Sequence, residues 1–433
     1  MPSQNSSAND ASPSAQAGPA RGVVPAGMTG LVLTAGGARG AYQAGVMRRI
    51  SEIPALRKGP SPFRIIAGAS AGAINGAALA CYNASFHEGA ERLAQLWSQL
   101  TVRDVFRIDS LALARTATKA TLDMALGGLI GGGRLEGLVD TAPLRAFLGR
   151  HLPMAQIGEA IARGDLYALA ITAAGYHSGK AFTFIQGQPG HPLWNKSRRV
   201  ALAATLKLEH VLASSAIPIV FPPVALAASG ATAYFGDGAL RLTAPLSPAI
   251  RLGAERIFAI GVRCQESADS LLRSELSSAP DLVAQLKRPP LSQICGVFLN
   301  AVFLDHLDAD LDHLKRMNDL VAHYHQALSA AQASGGGSTL KEPMRVVEPL
   351  VISPSADIAI IAKTLAHRMP RTIRYVMDGL GTPDAQSADL TSYLLFDKAF
   401  TSELIQLGYR DAAQRIDQIE DFLCAPQPAR RLA

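Results

Sequence analysis

The segment 68–76, GASAGAING, places a single serine among small residues, where an apolar run passes into a helix-forming stretch. Ser70, flanked by Gly68 and Gly72, matches the nucleophile elbow, a tight strand-to-helix turn that exposes a serine hydroxyl. Glycine at both flanks leaves room for the crossing strand and helix. The pattern makes Ser70 a candidate nucleophile, although the same residues also suit a small-residue helix that begins with Ser70 as its N-cap.

A glycine-rich loop, AGGARG at 35–40, follows the first apolar run and opens a helix. Consecutive glycines allow backbone N–H groups to converge on a negatively charged oxygen, assisted by the helix N-terminus. A dinucleotide-binding fingerprint would require G-x-G-x-x-G and a carboxylate about 20 residues later. That spacing is not met, and residues 56–64 contain no acid. An oxyanion hole needs only two or three amides beside small side chains, so the loop favours that function.

A third candidate is the aspartate of FGDGA, residues 235–239. An aspartate between two glycines is most often a turn residue. Asp237, however, ends a long stretch without charge, because no Asp, Glu, Lys or Arg lies between Glu209 and Asp237. A carboxylate in such apolar surroundings could accept the proton of a serine hydroxyl.

The elements that must position these residues alternate along the chain. The pattern predicts strands at 30–35, 63–68, 166–173, 181–185, 256–262 and 345–352, and helices at 41–50, 71–82, 280–333 and from 362 to the C-terminus. Strands that alternate with helices indicate an α/β fold, in which a mostly parallel sheet is covered on both faces. Ligands bind at the carboxyl ends of the strands in such sheets.

Two apolar stretches need a separate interpretation. Residues 211–236 carry no charge over a length that could span a bilayer, but Pro218, Pro222 and Pro223 break any continuous helix there. We interpret this stretch as buried chain near an apolar groove. Residues 111–133 contain charged side chains and end in three glycines. They fit either an amphipathic helix with a glycine hinge that covers a site as a lid, or an ordinary packed helix and loop.

Composition limits the classes of partner and compartment. The formal net charge is +6, and its basic residues are scattered, which does not favour nucleic-acid binding. The excess fits a mild attraction to anionic membrane surfaces and fits equally no role at all. Four cysteines lie far apart without a CxxC pair, which argues against a metal knuckle and fits a reducing compartment.

The N-terminal residues 1–27 are rich in Ser, Ala, Pro and Gly and contain no apolar core of a secretory signal. We expect a disordered leader and a cytoplasmic protein without a transmembrane helix. An address read by a dedicated export machine would have a similar composition, so both interpretations remain open.

Four motifs together resemble one family. GGARGAYQAGV, GASAGAINGA, SSAIPIVFPPV and DGA occur in the order and at about the spacing of the patatin-like phospholipases, which are bacterial acyl hydrolases. The resemblance covers roughly residues 31–262. The segments FLDHLDADLDHLKRMN and SYLLFD, nearer the C-terminus, also resemble the bacterial branch.

The resemblance implies a three-layer α/β/α fold and a Ser–Asp dyad that acts without histidine. Ser70 would be the nucleophile and Asp237, in the motif completed by Gly238 and Ala239, its proton acceptor. The oxyanion hole would be formed by the loop Gly36, Gly37, Ala38 and Arg39. The sequence departs from the family at Ala35, which replaces the first glycine of the usual loop.

The implied organisation is a leader at 1–27, a catalytic domain at 28–262 and a mostly helical C-terminal extension at 263–433 packed on it. The expected substrate is a lipid or ester, with peripheral membrane contact and with neither metal nor cofactor. Acidic residues 308–312 imitate the start of a calcium loop, but His313 stands where glycine is required. The helical spacing of nearby leucines places these acids on the polar side of a helix.

Two other classes of function stay open. An α/β-hydrolase or an acyltransferase would pair Ser70 with an acid and a downstream histidine, and His323, His325 and His367 lie late enough to qualify. A non-catalytic lipid-binding module would keep the pocket without turnover. Labelling of Ser70 by a fluorophosphonate probe separates an enzyme from a binding module.

Overall fold

The computed structural model describes residue 25 and residues 27–107, 139–264 (apart from 219, 229 and 230), 306–333, 345–369 and 388–425. The strands in chain order are β1 Thr29–Leu33, β2 Ile65–Ala69, β3 Ala168–Gly175, β4 Ala181–Gly187, β5 Arg199–Ala203, β6 Val224–Ala228, β7 Ala231–Gly236, β8 Arg256–Ile260 and β9 Glu348–Ile352. Each strand predicted from the sequence overlaps one of these.

The helices of the described residues flank these strands. They are α1 Gly40–Ser51, α2 Ala71–Cys81, α3 Phe86–Gln99, α4 Val102–Val105, α5 Ala142–His151, α6 Ala155–Arg163, α7 Leu208–Ser214, α8 Ser247–Leu252, α9 His306–Ala333, α10 Ile358–Leu365, α11 Ala388–Leu394, α12 Lys398–Gln414 and α13 Ile416–Cys424. Short 3₁₀ turns occur at Gly37–Arg39, Gly238–Leu240 and Ala366–Arg368. None of these helices is long and apolar enough to cross a membrane.

The strands form one mostly parallel sheet, in the order β5-β4-β3-β2-β1-β8-β9. β2, β1, β8 and β9 are parallel to their neighbours, whereas β3 and β4 pair antiparallel. The hairpin of β6 and β7 joins the end of β3 through Ala174 and Gly236. The parallel strands place the ends of β1 and β2, and the residues that follow them, side by side at one edge of the sheet.

The side chains of β1 point alternately to the two faces of the sheet, and each face has its own hydrophobic cluster. Leu31 and Leu33 share a buried cluster with side chains of α1, α2 and α3. Val32 points to the other face, where it shares a second cluster with side chains of α8 and α9. Because a strand's neighbouring side chains point to opposite faces, helices cover both sides of the sheet. The fold is therefore the predicted three-layer α/β/α arrangement.

The helix α12 lies against α1, which begins directly after the glycine-rich loop. A Cβ atom on Gly45 would overlap the carbonyl oxygen of Ile405, and one on Gly408 would overlap the carbonyl oxygen of Tyr42. Glycine at both positions lets the two helix backbones meet closely. The contact is extended by the Tyr42 hydroxyl, which donates a hydrogen bond to Asp411 at 2.9 Å.

The structure corrects one interpretation of the sequence. The stretch 211–236 is not wholly buried chain: it contains α7 and the β6–β7 hairpin, and Tyr234 is 58% exposed. The prolines end the helix, and the alanine-rich strands that follow lack the alternation by which a strand is recognised. The acids 308–312 lie in α9 as predicted. The possible lid at 111–133 and the loop at 334–339 lie outside the described residues, as do nearly all of the leader and residues 280–305.

Candidate active site

The backbone at Ser70 adopts the strained geometry of an elbow. Ser70 has φ 55° and ψ −126°, and among the described residues no other non-glycine residue has a positive φ. A Cβ atom on Gly68 would overlap the carbonyl of Gly72, and one on Gly72 would overlap the carbonyl of Leu33. The serine side chain makes no capping hydrogen bond to α2. The turn is therefore not explained by helix capping, and strain of this kind is typical of functional residues.

Ser214 holds the elbow in place. The amide of Ser70 lies 3.1 Å from the carbonyl oxygen of Ser214 and 3.0 Å from its hydroxyl oxygen, so Ser214 accepts from it. The Ser214 hydroxyl in turn donates to the carbonyl of Thr172 at 2.6 Å, which ties the elbow to β3. Sequence reasoning missed this role, although Ser214 begins the SSAIP segment that contributed to the family resemblance. A serine in a charge-free stretch was the available signal.

The same segment brings Asp237 to the elbow. Two residues after Ser214, the carbonyl of Ala216 accepts a hydrogen bond from the Asp237 amide at 2.9 Å. Asp237 is completely buried, and its Oδ1 atom accepts from the amide of Ala239 at 2.9 Å. A Cβ atom on Gly238 would overlap the carbonyl of Thr172, so the DGA motif packs directly against β3.

The second carboxylate oxygen of Asp237, Oδ2, has no partner at full hydrogen-bond geometry within the described residues. The Ser70 hydroxyl is nevertheless close enough to the carboxylate to favour its ionised form. We interpret this as a loose hydrogen bond of the resting site, since such bonds often tighten only when substrate is bound. The structure thus brings together Ser70 and Asp237, which are far apart in the sequence.

Burial controls the acidity of Asp237. Loss of solvent raises the pKa of its carboxyl from 3.8 to about 7, against the lowering effects of hydrogen bonds from Ser70 and the Ala239 amide. Tyr176 lies beside it, at the end of β3, and its pKa is raised by burial and by the charge of Asp237. A pKa near neutrality allows one carboxyl to accept and return a proton at the pH of a cell.

The glycine-rich loop follows β1 and lies at the same edge of the sheet. Gly37 has φ 56°, a left-handed conformation suited to glycine, and it begins the 3₁₀ turn Gly37–Arg39. The amide of Arg39 donates to the carbonyl of Gly36 at 3.1 Å, within this turn. Arg39 is therefore placed beside the loop's other amides, with its own N–H already engaged.

A buried polar network supports the loop from α1, α2 and α3. The side-chain amide of Gln43 donates to the carbonyl of Thr34 at 2.9 Å, just before the loop. Asn75 donates to the Gln43 side chain at 2.8 Å, and the Trp97 indole donates to Asn75 at 2.7 Å. Buried polar groups that satisfy one another in this way give the loop a defined position.

The histidines considered as alternatives to Asp237 lie elsewhere. His323 and His367 are exposed, and each ring contacts a carbonyl of its own helical segment, at Asp319 and Thr364. His325 is also exposed, on α9. No hydrogen bond found in the described part of the chain joins a histidine to Ser70 or Asp237. Within the same residues, no group of three or more His, Cys, Asp or Glu side chains could hold a metal ion.

The α/β/α fold places Ser70 and Asp237 together, and comparison with known proteins identifies the class of protein. A family model described as patatin-like phospholipase matches residues 31–250, half of the 433 residues and the part that contains both Ser70 and Asp237. The chain belongs to the patatin-like phospholipase family, and it is a lipid acyl hydrolase of that family. No curated protein matches it significantly.

One similar solved structure is the crystal structure of VipD from Legionella pneumophila. The two chains share 13% sequence identity, and the similarity covers 90% of this chain and 67% of that chain, with a TM-score of 0.29. A likeness at that level has no bearing on substrate or partner.

Proposed function

We propose that the protein hydrolyses carboxylic esters of lipids through a Ser70–Asp237 dyad and an acyl-enzyme. The observation that carries this proposal is the buried pair itself: a strained elbow serine beside a carboxylate oxygen that has no other hydrogen bond among the described residues. A structural carboxylate would have both oxygens satisfied, because an unpaired buried polar atom costs free energy.

In the first half of the reaction, the ionised Asp237 accepts the hydroxyl proton as Ser70 Oγ forms a bond to the ester carbonyl carbon. The carbonyl oxygen becomes an anion in the tetrahedral intermediate. When the intermediate collapses, the carbon–oxygen bond to the alcohol breaks, and Asp237 returns its proton to the leaving oxygen. The acyl group then remains on Ser70 as an ester.

In the second half, Asp237 accepts a proton from water as the water oxygen attacks the acyl carbon. Collapse of this second intermediate releases the fatty acid, and the proton passes back to Ser70 Oγ. The carboxyl alternates between two protonation states that differ little in free energy near neutral pH, because its pKa is raised to about 7. Each half-reaction therefore ends with Asp237 ionised again, and the second also releases the free Ser70 hydroxyl.

The oxyanion is stabilised, in this proposal, by the backbone amides of Gly36, Gly37 and Ala38. The support is the left-handed conformation of Gly37 and the 3₁₀ turn after it, a type of backbone in which successive amides can converge on an anion. Removing a single donor of this kind typically costs about 10²–10³ in rate. Arg39 contributes through its buried side chain, which donates a hydrogen bond to Ser392.

Substrate contact is supported by apolar and aromatic surface around the dyad. Ala69, next to Ser70, and Ala239, two residues after Asp237, line a small apolar cavity together with Leu33, Leu242 and Leu307. Tyr234, in β7, and Tyr176, directly after β3, are 58% and 44% exposed, and tyrosine is favoured where an apolar surface meets water. They support peripheral contact with lipid at the mouth of the site.

A cytoplasmic site of action also belongs to the proposal. It is supported by Cys81 and Cys424, which form no disulfide bond within the described residues.

The test is hydrolysis of a lipid panel by the purified protein, with labelling by a fluorophosphonate probe. Ser70→Ala should abolish both ester hydrolysis and labelling. Ser51→Ala is the matched control, because Ser51 is equally buried and, within the described residues, its hydroxyl contacts the carbonyl of Arg48 and the ring of His87, away from the elbow. Wild-type turnover in Ser70→Ala would refute the nucleophile. A wild-type protein that binds lipid vesicles but is neither labelled nor active would instead identify the non-catalytic binding module.

A further inference from the structure

Residues outside the family-matched region contact the glycine-rich loop. The helix α11 and the residues after it pack on the turn Gly37–Arg39, although they lie more than 130 residues beyond the end of the match at 250. The Arg39 side chain is the main link. Its Nε atom donates to the Ser392 hydroxyl at 2.7 Å, and its guanidinium carbon lies 4.8 Å from the centre of the Tyr393 ring.

Arg39 is buried by this contact. It is 2% exposed, and Ser392 is fully buried. A guanidinium is removed from water at high cost unless its donors are paired, so its conformation is held strongly by the groups around it. The buried position also means that Arg39 is directed into the protein and not offered to the solvent as a binding group for a lipid phosphate.

The backbone of the same segment packs directly on the loop. A Cβ atom on Gly37 would lie 2.5 Å from the carbonyl oxygen of Tyr393. The loop therefore has no free space on that side, and a displacement of α11 changes the packing at Gly37 as well as the hydrogen bond between Arg39 and Ser392. The neighbouring Phe396 ring lies 6.5 Å from Phe106, edge to face, which fixes the segment on the catalytic core.

We infer that Ser392 and Tyr393 are positioning residues for the oxyanion hole, and we call them the C-terminal clamp. Through Arg39 they hold the turn that carries the amides of Gly36, Gly37 and Ala38. This inference rests on the proposed function of those amides. Since stabilisation of an oxyanion depends steeply on the position of its donors, loosening the clamp should slow the chemical step more than it weakens substrate binding.

The test compares two variants that each delete one hydroxyl bonded to a charged side chain. Ser392→Ala removes the hydroxyl that accepts the hydrogen bond from Arg39 Nε. Ser355→Ala removes a hydroxyl that donates to Asp411 at 2.6 Å, in the same C-terminal part of the chain but without contact to the loop. With a soluble short ester, kcat per fluorophosphonate-labelled site should fall about tenfold or more in Ser392→Ala, with KM within about twofold. Ser355→Ala should keep the wild-type kcat, and Ser392→Thr, which retains the hydroxyl, should recover most of the loss.

A second measurement is independent of turnover. Hydrogen–deuterium exchange of the peptide that contains residues 34–40 should be faster in Ser392→Ala than in the wild type or in Ser355→Ala. The same order of exchange rates is expected when all three proteins also carry Ser70→Ala. Equal kcat and equal exchange in Ser392→Ala and Ser355→Ala would overturn the clamp. A rise in KM with unchanged kcat would also overturn it. If Ser70→Ala stays active while exchange responds as expected, the proposed nucleophile fails and the clamp on the loop stands.

Discussion

Replacement of Asp237 by asparagine should make the protein more stable and much less active. The carboxyl is completely buried and one of its oxygens is unpaired among the described residues, so the ionised form is held in an unfavourable environment. Asparagine has nearly the same shape, and its side-chain oxygen can still accept from the Ala239 amide. It has no charge to desolvate, and it cannot accept a proton from Ser70. Loss of a general base typically costs about 10²–10⁴ in rate.

The gain in stability follows from the raised pKa. A carboxyl with a pKa of 3.8 in the unfolded chain and about 7 in the fold binds its proton more tightly when folded. Its contribution to stability is fully present below the unfolded pKa and is lost progressively as the pH rises through the folded pKa. The difference amounts to roughly 4 kcal/mol at about pH 8, because a tenfold change in proton affinity is worth about 1.4 kcal/mol. At about pH 5 the wild type has lost only roughly 1.5 kcal/mol of the stability that the protonated carboxyl contributes.

The assay is urea unfolding of the wild type and Asp237→Asn at these two pH values. Asp237→Asn should be the more stable protein at the higher pH, by up to about 4 kcal/mol, and its advantage should shrink by about 2–3 kcal/mol at the lower pH. Asp411→Asn is a suitable control, because that buried carboxylate accepts from Tyr42 and from Ser355, and it should lose stability when its charge is removed. An advantage of Asp237→Asn that does not change with pH, or a loss of stability at the higher pH, would refute the reasoning.

Three further outcomes can be measured. The kcat/KM of the wild type should decline as the pH falls through about 7, because Asp237 must be ionised to accept the proton; a profile flat down to about pH 5 would contradict the raised pKa. Ser214→Ala removes the hydroxyl that joins the Ser70 amide to Thr172, so it should lower stability by about 1–2 kcal/mol and kcat by about tenfold, as shown by urea unfolding and ester assay. Gly408→Ala should destabilise the protein by about 2–4 kcal/mol, because the added methyl group forces α12 away from α1. Gly149→Ala, in α5, where contact distances are ordinary, should be neutral or stabilising. Similar melting temperatures for the two variants would refute the close approach of the helices.

Much of the fold was predictable because its signals are local. β1, β2 and the helices after them were predicted within one or two residues at most ends, since a short apolar run followed by a glycine-containing turn and a helical pattern appears in consecutive residues. The strands β5, β6 and β7 were not predicted. β5 is only partly buried, and β6 and β7 together contain five alanines among eleven residues, so these strands carry little of the alternation on which such predictions depend.

The candidate site divides in the same way. The elbow and the glycine-rich loop were visible in the sequence because each is one contiguous turn with its own steric requirements, and the DGA motif was visible because it ends a stretch without charge. The role of Ser214 was not visible, because it depends on an amide 144 residues earlier in the chain. An ordinary pKa for Asp237 would also have been wrong, since the carboxyl's acidity depends on how completely other segments exclude water from it.

The amino-acid sequence by itself determined where the chain turns and which residues could react, because steric limits on glycine, serine and proline act over a few neighbouring residues. Only the tertiary structure decided that Ser70 meets Asp237, that the carboxyl has a pKa of about 7, and that Arg39 is buried against a serine 353 residues away. Those properties depend on contacts between segments that are distant in the sequence. Burial, charge and hydrogen-bond partners are defined only once the sheet and its two helical layers have packed.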